Sequence, residues 1–153
     1  RMAAYCSSAE RCEQDVRQKL VKAELEPEAV SRIINRLRQE KFIDEARFAR
    51  AFVSDKFRFN HWGKYKIRCE LLRKEISEEE IELALSSLEM EEYDQVLMDL
   101  LKTKIKSVKA KDERERYYKL LRFVVGRGFQ PAEAGACLKR LLKGGDHEEF
   151  DMD

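Results

Sequence analysis

Six side chains in this sequence have the chemistry of a metal ligand or a covalent nucleophile near neutral pH. They are Cys6, Cys12, Cys69 and Cys137, together with His61 and His147. A structural zinc site draws its ligands from residues about two to four apart, so that one turn offers two donors to a tetrahedral ion. No pair among these six has that spacing. Cys69 and Cys137 fall on apolar helical stripes, where a thiol packs as a small hydrophobe. The chain has ample Leu, Ile, Val and Phe for a core, so a disulfide framework is not needed. No Ser/His/acid arrangement, phosphate-cradling glycine loop, GxSxG or HExxH is present. The expectation is a protein with no metal, no cofactor and no catalytic residues, that is, not an enzyme.

The remaining chemistry is charge. Of the 153 residues 40% are charged, against about 25% in an ordinary globular chain, yet the formal net charge is only +1. The two signs are segregated along the chain. Residues 1–75 hold 18 bases and 12 acids, and residues 76–99 hold nine acids and no base. Residues 100–143 then hold 13 bases and four acids, and residues 144–153 five acids and no base. Alternating blocks of this kind point to a partner with a charge pattern of its own, or else to a solvated face. An acidic block in mid-chain disfavours a binder of duplex DNA alone and fits a partner that is part protein, part phosphate.

The elements that must position these charges are helical. Apolar residues recur at helical spacing in eight stripes, from Cys12, Val16, Leu20 and Ala23 to Ala134, Cys137, Leu138 and Leu141. Ser7-x-x-Glu10 and Ser77-x-x-Glu80 read as capping boxes, and Pro27 and Pro131 as first-turn prolines. With six Gly and two Pro, the sequence lacks the turn signals of a sandwich or barrel. The stripes therefore predict eight helices and no strand. No apolar run approaches the ~20 residues of a membrane span, and a soluble, cytoplasmic protein is expected.

Three helices repeat one pattern. Leu25, Ile76 and Phe129 are each followed at +5, +8, +9 and +12 by apolar residues, ending in Leu37, Leu88 and Leu141. A period near 50 residues marks a helical array whose units bury their faces against one another. The expected organisation is all-α, with tandem three-helix repeats over 1–60 and 61–110 and a partial repeat over 111–143. These would form an elongated, curved array, followed by a disordered acidic tail over 144–153.

Within this pattern lie two ordered motifs. The first reads Ile43-Asp44-Glu45-Ala46-Arg47-Phe48-Ala49, and the second runs from Gly63 through Ile67, Glu70 and Leu71 to Lys74-Glu75-Ile76. Together with the repeat, they resemble the RecX family of bacterial recombination regulators, over about residues 5–142. The family signature has Asp where this chain has Glu45, and Gly where it has Glu75. The second departure predicts a changed turn between the helices, because Gly tolerates positive φ and Glu does not. Asp44 is expected to cap the following helix, Phe48 and Phe52 to be core, and Gly63 to sit where a side chain would strike the fourth helix.

The resemblance implies a non-enzymatic regulator that binds RecA, mostly as its filament on single-stranded DNA. It would limit recombinase and coprotease activity in DNA repair, recombination and the SOS response. The candidate contacts to RecA or DNA are bases that packing does not require. Arg58, Lys64, Lys66, Arg68, Arg73 and Lys74 form one group, and Lys102, Lys104, Lys106, Lys109 and Lys111 the other. Trp62, with His61, Tyr65, Phe57 and Phe59, forms an aromatic cluster among Lys56 and the first group. Such a cluster can stack on single-stranded bases or pack a hinge between repeats. A monomer without membrane association is expected, and the sequence leaves open whether DNA is contacted directly or only through RecA. Two other readings stand beside this one: a stand-alone nucleic-acid-binding helical protein, and a helical-repeat scaffold for another protein.

Overall fold

A computed structural model describes residues 1–143 in full; the expectation of a disordered tail over 144–153 lies outside the described residues. The described chain is all-α, with no strand. The helices are α1 (Met2–Ser8), α2 (Glu13–Lys22), α3 (Pro27–Gln39), α4 (Glu45–Arg58), α5 (Lys64–Arg73), α6 (Glu78–Ser86), α7 (Met90–Ile105), α8 (Glu113–Gly126) and α9 (Pro131–Met152).

One helix more is present than the periodicity predicts. α1 offers only Met2, Tyr5 and Cys6 to the core formed by Val16, Leu20, Val30, Ile34, Leu37 and Ile43. Seven residues are too few to show a stripe. Ser7 is therefore not an N-cap but lies in the last turn of α1. α2 instead starts after Cys12, whose N–H donates to the Asp15 carboxylate at 3.2 Å. Counting α1, we group the helices as α1–α3, α4–α6 and α7–α9. This grouping moves the borders from 60/61 and 110/111 to the starts of α4 and α7, and it leaves the last triplet whole.

What repeats most faithfully is the end of the second helix of each triplet. The N–H groups of Leu25, Ile76 and Phe129 donate to the carbonyls of Leu20, Leu71 and Val124, five residues back. The preceding residues, Glu24, Glu75 and Gly128, have φ of 62°, 62° and 102° and donate to Val21, Leu72 and Val125. This is the Schellman arrangement, in which a left-handed residue turns the chain and an apolar residue follows it. Glu75 thus adopts the geometry that a glycine would have, and the turn is unchanged; the departure costs strain and not shape.

The other signals act as expected in part. Ser77 accepts the Glu80 N–H and caps α6, and Pro27 and Pro131 open α3 and α9. Arg47 N–H donates to Asp44 Oδ1 at 3.0 Å, which makes Asp44 the cap of α4. Phe48 is buried and Phe52 half-buried, their rings 5.8 Å apart.

The chain divides into two compact units, residues 1–55 with 68–87 and residues 56–67 with 88 onward. The first is centred on the core just named, with Phe48, Ala49, Ile81, Ala84 and Leu85 also buried. The second has α7, α8 and α9 in mutual contact, around Tyr93, Leu97, Leu101, Leu120, Val124 and Leu138.

Two stability predictions follow from the buried faces and the caps. Leu37→Ala and Leu88→Ala are each expected to cost ~2–5 kcal/mol in denaturant unfolding, since both side chains are buried. A loss below about 0.5 kcal/mol at both would contradict the repeat's inner face. Glu75→Gly, by contrast, is expected to stabilise the protein by about 1 kcal/mol, because glycine takes the left-handed cap without a Cβ penalty. An unchanged or lower midpoint would show that Glu75 gains from its side chain more than it loses in strain.

Candidate functional site

The α4–α5 turn is built around one close approach in the second unit. A Cβ on Gly63 would lie 2.3 Å from the carbonyl carbon of Gly128 and 2.4 Å from the Phe129 nitrogen. The side chain that Gly63 excludes would therefore strike the α8–α9 turn and not the fourth helix. Bare backbone brings three donors at the start of α5 to tertiary partners. Gly63 N–H donates to Arg127 O at 2.7 Å, Lys64 N–H to the Tyr93 hydroxyl at 2.9 Å, and Tyr65 N–H to Gly128 O at 3.0 Å. Helix-start donors have no intrahelical partner, and here they meet protein instead of water. Tyr93 is buried between the rings of Phe57 at 5.5 Å and Phe129 at 5.1 Å, and burial pushes its hydroxyl pKa up. The Arg127 guanidinium closes the turn from outside, donating to the carbonyls of Asn60 and His61.

The aromatic cluster separates into a packed part and an exposed part. Phe57 is core, and Trp62 is half-buried with the Lys66 and Lys56 ammonium groups 4.5 and 4.9 Å from its ring. Phe59 and Tyr65 are exposed, at 78% and 58%. Lys64 lies over the Tyr93 ring at 4.8 Å. Cation–π contacts of this kind hold the lysine stems against the turn.

The first group of candidate bases is largely engaged. Arg58 pairs with Glu92 at 3.0 Å, and that hydrogen bond raises its pKa further. Arg68 pairs with Glu82, Arg73 with Glu70 at 2.8 Å, and Lys74 with Asp15 at 3.2 Å. The acidic block thus supplies partners for Arg58 and Arg68, each within its own unit. Exposed pairs are worth only ~0–1 kcal/mol, yet they still neutralise the field a polyanion would meet.

The second group differs. Lys104 lies over the Phe123 ring at 4.8 Å, and the Lys109 carbonyl accepts from Lys119. Among the described residues, Lys102, Lys106, Lys109 and Lys111 are exposed, and none makes an ion pair. They lie on the last turn of α7 and in the segment leading to α8, a region where positive charge also complements the helix dipole.

The motif residues have structural roles within the described chain. Ile43, Phe48, Ala49, Ile67 and Leu71 are core, Asp44 is a cap, Gly63 is the close approach, and Glu70 pairs with Arg73. Two neighbours gave no sequence signal because their partners are distant in the chain. Arg47 donates to Glu10 at 2.8 Å and to the carbonyls of Lys41 and Phe42. Glu45 accepts the Glu13 N–H at 3.0 Å at the start of α2, and burial raises its carboxyl pKa.

The thiols are equally structural. Cys6, Cys12 and Cys137 are buried and Cys69 is half-buried. Burial pushes the Cys12 thiol up to about 12, far from a reactive thiolate. Among the described residues, no group of three or more His, Cys, Asp or Glu is placed to hold a metal ion.

Known proteins share this arrangement. The family model for the second three-helix domain of RecX matches residues 44–85, which is the α4–α6 triplet. The regulatory protein RecX of Clostridium acetobutylicum is 29% identical over 147 residues, covering 93% of this chain and 67% of its own length. A crystal structure of regulatory protein RecX superposes with a TM-score of 0.83 at 25% identity, over 90% of this chain and 69% of that one. The RecX structure from Lactobacillus salivarius, at 20% identity, shares the fold with a TM-score of 0.80 over 90% of both chains. The chain spans between half and about two thirds of the length of the curated relatives it matches. A triplet that matches the family's own second domain, set in a likeness that runs along nine-tenths of the chain, makes this protein similar to RecX proteins in both sequence and fold.

Proposed function

We propose that this chain is a non-enzymatic, cytoplasmic regulator that binds RecA and its filament on single-stranded DNA and inhibits recombinase and coprotease activity. Similarity to the RecX family, whose relatives are named regulatory proteins, is the observation that carries the reading. The geometry adds a means. A filament of protein on DNA offers both phosphate and charged protein surface, and this chain offers both signs of charge on helices with fixed ends. Lys102, Lys106, Lys109 and Lys111, without carboxylate partners among the described residues, are the bases best placed to meet phosphate. Several modest contacts on one repeat body then add through effective concentration, without a deep pocket. The chain acts as a monomer in this reading, and the described helices include none long and apolar enough to cross a membrane.

The same lysines favour a second reading, direct binding to single-stranded DNA without any recombinase. Titration into RecA's DNA-dependent ATPase and strand-exchange reactions separates the two. Inhibition that saturates near the RecA concentration supports the first. Steep, salt-dependent DNA binding that leaves RecA's kinetics untouched supports the second.

Two variants then locate the electrostatics. Replacing Lys102, Lys106 and Lys109 together by Ala is expected to raise the half-maximal inhibitory concentration about tenfold and to lower the log–log salt slope by about two to three. Replacing Lys64, Lys66 and Arg68 is expected to do less, because ring faces and Glu82 already engage them. Helicity should be unchanged in the lysine variant. Unchanged inhibition in a folded lysine variant would remove phosphate contact from the mechanism.

A further inference from the structure

One surface feature of the second unit is used by nothing described so far. Tyr93, Leu97 and Leu101 point α7 into the core, and the flank beside them carries Val96, Leu100 and Thr103. With His61 and Asp99 these residues line a cleft of about 270 Å³. That volume suits one medium-sized side chain and is too small for a cofactor. Val96 and Leu100 are only half-buried, so their apolar surface faces the cleft without cover from the rest of the unit.

The wall contributed by the α4–α5 turn is held at a cost. His61 has φ of 56°, a left-handed conformation that a Cβ-bearing residue rarely adopts. Four interactions maintain it: His61 N–H donates to Phe57 O, Trp62 N–H to Lys56 O, and Arg127 to the Asn60 and His61 carbonyls. Two residues before His61 stands Phe59, the most exposed large hydrophobic residue on the described chain at 78%.

The cleft also carries a sign. Asp99 is exposed and accepts a hydrogen bond from Gln95 at 2.8 Å, but it has no cationic partner among the described residues. It closes the acidic block, which ends just before Lys102. The complementary group is therefore a cation placed beside an apolar side chain.

We infer that the His61–Val96–Leu100 cleft is a protein-docking site, taking an aliphatic side chain of a partner segment while Asp99 pairs with a lysine or arginine next to it. This rests on the reading above, which makes the recombinase the partner; the segment belongs to a RecA surface and not to DNA. The lysines at the end of α7 and the cleft on its flank then divide the work, one meeting phosphate and the other protein.

Thr103→Trp and Asp99→Lys test the site, because both positions are exposed and neither change touches the core. The first fills the cleft from its rim. The second reverses its charge and at the same time makes the protein more attractive to DNA, so the two mechanisms predict opposite signs. Each purified variant would be checked for helicity and melting, then titrated into RecA's ATPase on single-stranded DNA and, separately, onto a bare oligothymidylate. The expected result is about a tenfold loss of inhibition in both, at unchanged helicity, with oligothymidylate binding equal for Thr103→Trp and tighter for Asp99→Lys. If the unaltered chain inhibits and either variant inhibits as well or better, the docking site is overturned while the proposed function stands. If the unaltered chain does not inhibit RecA at all, the proposed function and the occupant of the cleft fall together.

Discussion

The second unit depends on the contact of two glycine-bearing turns. Gly63 and Gly128 come so close that a methyl group on either would overlap the other's surroundings: the Gly128 backbone in one case, Lys66 Cβ at 2.5 Å in the other. Across this contact the first three donors of α5 find Arg127, Tyr93 and Gly128 as acceptors. Everything candidate about the turn follows from it. Trp62 is set between two lysines, Lys64 over Tyr93, and His61 at the wall of the α7 cleft. Unsatisfied helix-start donors in a partly buried setting would cost about 1–3 kcal/mol each, so the joint is hard to loosen by halves.

Much of the fold was legible from periodicity and end signals. Eight stripes gave eight helices, because an apolar face packed on a neighbour must recur at helical spacing. The ninth, α1, escaped because seven residues cannot display a period. The caps were legible only in part. The left-handed turns at Glu24, Glu75 and Gly128 share one geometry, although two of the three residues carry a Cβ. At Glu75 the burial of the following Ile76 overrides a local preference.

The site was legible as composition and not as arrangement. Sequence shows where bases are dense, but an ion pair such as Arg58–Glu92 or Arg68–Glu82 depends on which helices meet. Part of the charge segregation also has a local cause. Acids crowd the first turns of α6 and α7, at Glu78, Glu79, Glu80, Glu91 and Glu92, and bases the last turn of α7, at Lys102 and Lys104. Those placements complement the helix dipole and would exist without a partner. Among the candidate bases, Lys106, Lys109 and Lys111 are explained neither by an ion pair among the described residues nor by the first or last turn of a helix. The motif that carries the family resemblance thus consists of residues that pack, cap and turn the helices.

The joint itself is open to direct measurement. Native-state hydrogen exchange followed by NMR reports the opening free energy of individual amides. If Gly63, Lys64 and Tyr65 are held by Arg127, Tyr93 and Gly128, their amides should exchange as slowly as that of Leu97 in the buried stripe of α7, with the same dependence on denaturant. Exchange of these three at the rate of an exposed turn, while Leu97 stays protected, would contradict the account at its centre.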